Sequence, residues 1–358
     1  MKILYLMHVD KAWIKQRPHF IAEELSKKIN LCVFYQYSFR RRNLINSDNN
    51  FKNFPFVLPP FFFKSSAVRA LYSLLLKFFF KVIISVFDPK FIWISHPFQY
   101  NFFFKNDQKK LIYDCMDDHV EFFESKTLKN EIFQLENKIS NYSYKVICSS
   151  SFLYKKFNKS KNNIFKVFNA YSKSSTFCNL NSSLNTRFNH TNNPIICYFG
   201  TLSNWIDYDS IAYVLNNNKF ITIRLIGPVD LIPKNIKNHK RIQLISPKAH
   251  NDLLNFIDDV SIFIIPFIVN NLIRSVDPVK MYEYIVCNKP IIARYYPELR
   301  KFSEFVDFYN DKTELISLIN EYTDINFRPK FSEKKRNLFL KTNSWENRAE
   351  EILNIIQE

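Results

Sequence analysis

Short apolar runs that alternate with helical stretches constrain the fold of this chain more than any other feature of its sequence. Residues 2–9 and 31–37 have the pattern of buried strands, and the segment 17–29 between them has the pattern of a helix with Pro18 in its first turn. Four further apolar runs follow at 91–96, 110–116, 144–150 and 164–170. Strands that alternate with helices build parallel sheets, so the sequence predicts an α/β fold.

A second alternation begins in the other half of the chain. Six short apolar runs each lead into a loop with polar residues, Gly or Pro: PIICYFG, ITIRLIGP, RIQLIS, VSIFIIPF, KPIIARY and EFVDFYN. At 358 residues the chain exceeds what one hydrophobic core usually serves. We therefore expect two Rossmann-like domains whose parallel sheets face each other across a cleft, where the carboxyl-terminal loops bind ligands.

The domain boundaries are predicted from composition and patterning. Residues 1–175 form the N-terminal domain, residues 176–192 form a linker rich in Ser, Asn and Thr, and residues 193–342 form the C-terminal domain. Residues 343–358 contain a last helix, which begins near Ser344 and is expected to pack back on the N-terminal domain.

Charge and cysteine content limit the partners and the compartment. The formal net charge of +17 favours anionic partners: nucleic acid, phosphorylated small molecules or an anionic membrane face. The six cysteines form no C-x-x-C pair and lack the companions of a zinc site, which indicates reduced and mostly buried thiols. The opening residues 2–9 have a strand pattern rather than that of a signal peptide, so we expect a cytoplasmic protein.

The chain contains two glycines, Gly200 and Gly227, and each directly follows an apolar run. In a sequence that otherwise avoids glycine, these positions are expected to need a positive φ or a bare backbone beside a ligand, with plain tight turns as the alternative. The turn that begins at Gly200 and Thr201 can bring backbone N–H groups near a phosphate as the chain enters the next helix.

The strongest local pattern is SVDPVKMYEYIVCNKPII, residues 275–292. Asp277 is predicted to cap a helix that begins at Pro278, and Lys280 and Glu283 then lie on one face near its amino end. The lysine suits a diphosphate, and the carboxylate suits a vicinal diol such as a ribose. An ordinary surface ion pair one turn apart is the alternative.

Several motifs in order along nearly the whole chain point to a known family. They are WIKQRPHF, YDCMDD, the Asn after KVF, YFGTLSNWID, LIGP, IIPF, PVKMYEY, NKPII and SWENR. This series resembles GT-B glycosyltransferases of the bacterial cell-surface polysaccharide type, and in particular those of teichuronic acid biosynthesis.

The resemblance implies that the C-terminal domain binds a nucleotide-sugar donor and the N-terminal domain binds a glycan or lipid-linked glycan acceptor. Glu283 would bind the donor ribose and Lys280 its diphosphate, and Gly200 and Thr201 would lie beside the phosphates or the transferred sugar. The other residues counted as donor-binding are Gly227, Asn271, Arg274 and Arg17. The pathway implied is synthesis of a capsule, a lipopolysaccharide or a teichuronic-type polysaccharide, with no cofactor.

One position departs from the family pattern. Many retaining members carry two glutamates separated by seven residues, and the first of them would fall at Ser275. Both the stereochemical outcome and the usual contact of that glutamate with the donor sugar are therefore open.

The start of the first helix carries a second set of candidates. Arg17 and His19 follow the first strand and are expected to face the cleft, where a cation would steady the leaving diphosphate from the opposite wall. His19 is a further catalytic candidate, although it can instead pack locally at the helix start.

Asp114, Asp117, Asp118 and His119 form a cluster at the end of another predicted strand of the N-terminal half, and this cluster offers the best acid/base candidates. A carboxylate at this place can deprotonate an acceptor hydroxyl, so Asp117 is the first candidate for the catalytic base and Asp118 the second. Helix capping by one of them is the alternative.

Asp207, Tyr208 and Asp209 have the D-x-D form that metal-dependent transferases of another fold use. Such triplets are common by chance, and this one directly precedes a predicted helix, where capping explains it. The sequence contains no convincing metal spacing, and we expect no essential metal.

The most apolar long stretch is 69–87, and Lys77 and Lys81 interrupt it, which disfavours a membrane-spanning helix. Arg69, Lys77 and Lys81 recur in steps of four or eight and predict one basic stripe. Together with the run FFFK just before it, the segment 61–87 resembles an interfacial helix on an anionic bilayer, with core packing as the alternative. The protein is therefore expected at the inner face of the cell membrane, as a peripheral protein.

Two other functions stay open. A nucleotide-sugar epimerase would use similar donor contacts without an acceptor. A nucleic-acid-binding protein would use the charge of +17 and the aromatic content of 17%. Its basic residues would be clustered with aromatic platforms, whereas those of this chain are dispersed, so we expect no nucleic-acid partner.

Overall fold

Two parallel β-sheets form the framework of this protein. In the computed structural model, which describes residues 1–38, 52–158, 162–173, 193–249 and 252–358, one sheet has seven strands and the other has six. The predicted α/β class is confirmed. The chain divides into two units, Met1–Phe168 with Ser275–Asp277 and Trp345–Glu358, and Asn169–Arg274 with Pro278–Ser344. The linker predicted at 176–192 lies outside the described residues.

The first unit contains the seven-stranded sheet, in the order β3-β2-β1-β4-β5-β6-β7 with parallel neighbours throughout. Its strands are β1 Lys2–Met7, β2 Asn30–Gln36, β3 Lys52–Phe56, β4 Phe91–Ile94, β5 Leu111–Cys115, β6 Lys145–Cys148 and β7 Ile164–Lys166. Strand β3, with Pro55 in its sequence KNFPF, was not predicted. It lies at the edge of the sheet, where a proline is tolerated.

Helices cover this sheet, and serine caps begin three of them. They are α1 Arg17–Ser26, α2 Ser66–Phe87, α3 Lys105–Gln108, α4 Lys126–Tyr142, α5 Ser151–Phe157 and, from the chain end, α12 Trp345–Gln357, with 3₁₀ turns at Pro97–Phe102 and His119–Phe122. The hydroxyls of Ser65, Ser125 and Ser150 accept backbone N–H bonds at the starts of α2, α4 and α5. Trp345 of α12 stacks on Phe20 of α1 with ring centroids 5.1 Å apart.

The second unit contains the six-stranded sheet in the order β10-β9-β8-β11-β12-β13, also parallel throughout. The strands are β8 Ile195–Phe199, β9 Thr222–Ile226, β10 Ile242–Ile245, β11 Ile262–Ile265, β12 Ile291–Arg294 and β13 Asp307–Tyr309, so all six predicted apolar runs are strands. The helices are α6 Tyr208–Asn217, α7 Lys234–Lys237, α8 Asn271–Ser275, α9 Val279–Val286, α10 Lys312–Asp324 and α11 Glu333–Thr342, with 3₁₀ turns at Leu253–Phe256 and Pro297–Phe302. Loops at the carboxyl ends of β8 and β9 carry the two glycines.

Candidate functional site

The two glycines and Lys280 lie together at the carboxyl ends of β8 and β9. Gly200 has a φ of +141° and Gly227 a φ of +145°, which confirms the expected positive values. A Cβ atom on Gly200 would lie 1.9 Å from Cε of Lys280, and one on Gly227 would lie 2.1 Å from the carbonyl oxygen of Gly200. Both positions therefore need a bare backbone, and the lysine side chain of α9 lies directly against the glycine turn.

Backbone hydrogen bonds hold this turn in place. The N–H of Gly200 donates to the carbonyl of Ile226 at 2.8 Å, and the N–H of Leu202 donates to the carbonyl of Pro228 at 2.8 Å. The N–H of Gly200 is thus used in a hydrogen bond at the end of the sheet. A phosphate bound by this loop would therefore be contacted by the residues after Gly200. Thr201 is half-buried in the turn.

Tyr198, the residue next to last in β8, completes this arrangement and was not singled out from the sequence. Its hydroxyl donates to the carbonyl of Thr201 at 3.3 Å, and its ring centroid lies 5.6 Å from Nζ of Lys280. Burial raises the pKa of the Tyr198 hydroxyl, which therefore stays a neutral donor. The ring face therefore lies beside the lysine ammonium group, next to the glycine turn.

Helix α9 carries Lys280 and Glu283 in the predicted i, i+3 relation, but it begins one residue later than expected. Its first residue is Val279 and its N-cap is Pro278 in an extended conformation. The predicted capping role of Asp277 is therefore wrong, because the N-cap position belongs to the proline. Lys280 is half-buried and Glu283 is buried.

Packing against the sheet fixes the orientation of α9. The ring of Tyr284 stacks on Phe263 of β11 with centroids 4.3 Å apart, and its hydroxyl oxygen accepts the N–H of Phe199 at 3.3 Å. The helix therefore presents its lysine to the carboxyl end of the central strand β8, where parallel sheets bind ligands.

Asn271 and Arg274 lie on the short helix α8, and both are exposed. The side-chain oxygen of Asn270 accepts the N–H of Ile273 at 2.9 Å at the start of this helix. The donor contacts of Asn271 and Arg274 stay predictions.

Arg17 occupies a different setting from the one predicted. Its side chain is 1% exposed, and its guanidinium contacts the Asp114 carboxylate through Nε at 2.8 Å and donates to the carbonyl of Val167 at 2.9 Å. A cation removed from water needs such partners, and here they come from β5 and the chain after β7. The structure thus places Arg17 in a buried ion pair of the first unit rather than at an open diphosphate site.

His19 packs locally at the start of α1. Its Nδ1 accepts the N–H of Gln16 at 3.1 Å, and its Nε2 lies 3.0 Å from the carbonyl of Asp10, to which it donates in the matching tautomer. Burial lowers the pKa of His19, so the ring is neutral. Both ring nitrogens thus form hydrogen bonds with backbone groups at the start of the helix. This arrangement agrees with local packing of His19 rather than with a catalytic role.

Asp117 and Asp118 differ in their surroundings after β5. The Asp118 carboxylate accepts the N–H of Val120 at 3.3 Å and forms an ion pair with Lys156 at 2.8 Å, so the expected capping applies to this residue. Its own N–H donates at 3.3 Å to the hydroxyl of Ser275, which belongs to the same first unit. Asp117 is half-buried and keeps the first place among the candidate bases.

Three histidines of the first unit lie in contact, and sequence reasoning did not bring them together. His8, His96 and His119 follow β1, β4 and β5, and the centroids of their rings are 4.6 to 5.8 Å apart. Burial, with the nearby His8, lowers the pKa of His96 to about 3, and burial lowers that of His119 as well. His96 also lines an aromatic cavity with Phe62, Phe98 and other side chains.

This histidine cluster lies at the carboxyl edge of three neighbouring strands, which is the edge where parallel sheets bind ligands. Among the residues that the structure describes, Nε2 of the buried His119 has no hydrogen-bond partner. The signal in the sequence was a histidine at or shortly after the end of each of three apolar runs, but the order of the strands in the sheet was not known.

Asp207 caps helix α6, as expected for the D-x-D triplet. Its carboxylate accepts the N–H of Ser210 at 2.9 Å and the hydroxyl of Ser210 at 2.6 Å. In the described part of the chain, no group of three or more His, Cys, Asp or Glu side chains is arranged to hold a metal ion.

Comparison with known proteins bears on the fold. No protein-family model and no curated protein matches the sequence. A sucrose-phosphate synthase from Thermosynechococcus elongatus is similar in structure with a TM-score of 0.75, at 13% identity over 99% of this chain and 98% of that chain. HepE from Anabaena in complex with UDP-glucose has a TM-score of 0.62, at 14% identity over 100% and 97%. A putative UDP-N-acetylglucosamine 2-epimerase from Listeria monocytogenes has a TM-score of 0.56, at 12% identity over 99% and 95%.

Glycosyltransferases predominate among the similar structures, and the two parallel sheets of this protein match the GT-B fold. The predicted fold class is thereby confirmed. At such low identity the likeness concerns the fold alone, and the resemblance to the teichuronic acid type stays a prediction.

Proposed function

We propose that this chain is a glycosyltransferase that moves a sugar from a nucleotide-diphosphate sugar to a hydroxyl of a glycan or lipid-linked glycan. The observation that carries the proposal is the contact of Lys280 with Gly200, with Glu283 one helical turn further along α9. A cation, a glycine turn and a helix amino end together favour a diphosphate. The GT-B fold agrees with this use of the second unit.

The proposed reaction forms a bond from the acceptor oxygen to the anomeric carbon and breaks the bond from that carbon to the diphosphate oxygen. The nucleoside diphosphate leaves with the electron pair, and Lys280 counters the charge that grows on it. Glu283 accepts hydrogen bonds from the ribose hydroxyls. Asp117 takes the proton of the acceptor hydroxyl.

Asp117 is favoured over Asp118 for this step because of the contacts after β5. Protonation of Asp118 would disrupt its ion pair with Lys156 and its cap on the 3₁₀ turn. Replacement of Asp117 by Asn is expected to lower the turnover number about 100-fold or more and to leave donor affinity unchanged. Equal turnover numbers in the parent and in Asp117→Asn would show that Asp117 is not the catalytic base.

We place the reaction in the synthesis of a cell-surface polysaccharide at the inner face of the cell membrane. The support is the ordered series of motifs from WIKQRPHF to SWENR along nearly the whole chain. The histidine cluster and the aromatic cavity beside His96 offer a place for the acceptor in the first unit.

Ligand-induced thermal stabilisation tests the donor site. UDP, UDP-glucose, GDP and GDP-mannose are compared with and without a chelator, since a ligand at about 100 times its Kd stabilises by about 2.7 kcal/mol. We expect one nucleotide class to stabilise the protein, unaffected by the chelator, and Glu283→Ala to lose the effect. Glu304→Ala, which changes an exposed carboxylate of the same unit, is the control. Unchanged affinity in Glu283→Ala would overturn the proposal.

A nucleotide-sugar epimerase is the second candidate, since one similar structure is a putative UDP-N-acetylglucosamine 2-epimerase. Such an enzyme would convert the nucleotide sugar without an acceptor. Release of free nucleotide that depends on added acceptor favours the transferase, and a new nucleotide sugar formed in the absence of acceptor favours the epimerase.

A further inference from the structure

Helix α2 has two apolar faces: one is buried against the rest of the unit, and the other is largely exposed, although its Phe78 touches Phe104 with ring centroids 5.6 Å apart. The buried stripe contains Leu76, Phe80 and Ile84, which pack in the core of the first sheet. The other face is exposed along most of the helix: Leu71 is 63% exposed, Leu75 59%, Phe78 60%, Val82 60% and Val86 81%. These five residues follow helical spacing and form one continuous stripe.

The helix is unusual for a surface element. Among the described residues, α2 is the one helix long and apolar enough to cross a membrane by length and composition alone. Its most apolar stretch of 18 residues has a mean hydropathy of 1.9, and 22% of that stretch is buried. A surface helix of a globular unit normally carries polar residues opposite its buried stripe. The apolar stripe on α2 therefore indicates a partner that is itself apolar.

Charge around the stripe indicates which partner this is. The segment 61–87 contains no Asp or Glu, whereas it contains Lys64, Lys77 and Lys81. The side chain of Lys81 is 57% exposed, with its Nζ 3.9 Å from the Asp107 carboxylate. Lys77 is half-buried, with its Nζ 6.0 Å from the ring centroid of Phe104. Lysines beside an apolar stripe are the pattern of helices that lie in the plane of an anionic bilayer.

Arg69 does not belong to this basic surface, which corrects the stripe predicted from the sequence. Its side chain is 5% exposed, forms an ion pair with Glu131, and donates to the carbonyl of Phe62 at 2.9 Å. The arginine instead holds the turn before α2 against the first unit. This turn presents Phe61, 68% exposed, and Phe63, 37% exposed, at the amino end of the stripe.

We propose that the stripe Leu71, Leu75, Phe78, Val82 and Val86 inserts into the surface layer of an anionic lipid bilayer. The helix then lies parallel to the membrane plane, with Lys77 and Lys81 at the level of the lipid phosphates and Phe61 anchoring its amino end. A second copy of the chain fits this face less well, because the segment 61–87 offers no Asp or Glu to pair with the lysines of a second copy, whereas an anionic bilayer does offer negative charge. The proposal goes beyond the proposed reaction and does not depend on the donor site.

Sedimentation of the full chain with vesicles tests the proposal. Vesicles of phosphatidylcholine alone are compared with vesicles of equal parts phosphatidylcholine and phosphatidylglycerol. We expect binding to the anionic vesicles to be at least about tenfold stronger and to weaken with salt. The variant Leu75→Ser/Phe78→Ser/Val82→Ser is expected to lose at least about tenfold of this binding.

Two further variants separate the contributions. Lys77→Glu/Lys81→Glu is expected to abolish the preference for anionic vesicles. Leu338→Ser, which changes a leucine 67% exposed on α11 of the second unit, is expected to bind like the parent. Thermal unfolding and nucleotide binding are measured on every variant, so that a fold defect or a failure of the donor site is seen separately.

Three results would overturn the proposal. One is equal vesicle binding by the parent and the triple serine variant, and another is equal loss of binding in Leu338→Ser. The third is a dimer of the parent in sedimentation velocity that dissociates in the triple serine variant, since a second copy of the chain would then cover the stripe.

Discussion

Lys280 fills the space that a side chain on Gly200 would need, with its Cε 1.9 Å from the position of that Cβ atom. The two residues come from different elements, the end of β8 and the first turn of α9. Their contact joins the glycine turn and the helix amino end into one surface of the second unit. Most of the predictions for donor binding follow from this contact.

Substitution of Gly200 by Ala is expected to weaken donor binding at least about tenfold, which corresponds to about 1.4 kcal/mol. The added methyl group must displace the Lys280 side chain, and the φ of +141° strains any residue with a Cβ. Titration calorimetry with the nucleotide that stabilises the parent measures the effect.

Thr201→Ala is the matched control for the glycine variant, because it shortens a side chain in the same turn without filling the space of Lys280. We expect a smaller loss of donor affinity in this variant. If Gly200→Ala binds the donor as tightly as the parent, then Lys280 does not bind the donor from its position against Gly200.

Lys280 and Glu283 are expected to act on different parts of the same ligand. Lys280→Met should lower affinity for a nucleoside diphosphate by about 1.5–3 kcal/mol and leave affinity for the nucleoside unchanged, because the charged hydrogen bond is to the diphosphate. Calorimetry with the nucleoside and its diphosphate gives both values.

Glu283→Gln should instead lower affinity for nucleoside and nucleoside diphosphate alike. For a ligand that lacks the 2′-hydroxyl, the difference in affinity between the parent and this variant should be smaller, because one hydrogen bond to Glu283 is already missing. Identical ligand profiles for the Lys280 and Glu283 variants would contradict the assigned roles.

The sequence predicted the framework of the fold well, because apolar runs and their spacing are local properties. All six strands of the second sheet were found in this way, whereas β3, an edge strand that contains Pro55, was not predicted. The helix of Lys280 was also found, although its start was placed one residue early, at Pro278 instead of Val279.

Contacts between side chains that are distant in the sequence were harder to predict. Arg17 was expected at a diphosphate, since nothing near it in the sequence shows that Asp114, on another strand, neutralises it. The three histidines were not connected because their contact depends on β4 lying between β1 and β5. Periodicity predicts elements, but it does not give their order in a sheet.

The ion pair of Arg17 and Asp114 is expected to stabilise the first unit rather than to bind the donor. Either Arg17→Met or Asp114→Asn leaves a buried polar group without its partner and should cost about 3–5 kcal/mol of unfolding free energy. The double variant Arg17→Met/Asp114→Leu should recover part of this loss.

Urea unfolding measures the stabilities, and calorimetry at a temperature where each variant is folded measures donor affinity. A large loss of donor affinity in a stable Arg17→Met protein would restore the role predicted from the sequence.

Glu136 is expected to make stability depend on pH near neutrality. Burial raises the pKa of its carboxyl from the ordinary 4.5 to about 7, against the opposing charge of Lys156, which also pairs with Asp118. Since the folded state holds the proton more tightly than the unfolded state, the stability from this group is present below pH 4.5 and is lost as the pH rises to about 7. The loss is at most about 3.4 kcal/mol.

The variant Glu136→Gln cannot ionise at this position, and Lys156 keeps Asp118 as its partner. We therefore expect the unfolding free energy of this variant to fall less than that of the parent between about pH 5 and pH 8. Urea unfolding at several pH values measures the difference, with Glu124→Gln, an exposed carboxylate just before helix α4, as the control. Parallel pH profiles for the parent and Glu136→Gln would show that Glu136 is already ionised throughout this range, held in that form by Lys156.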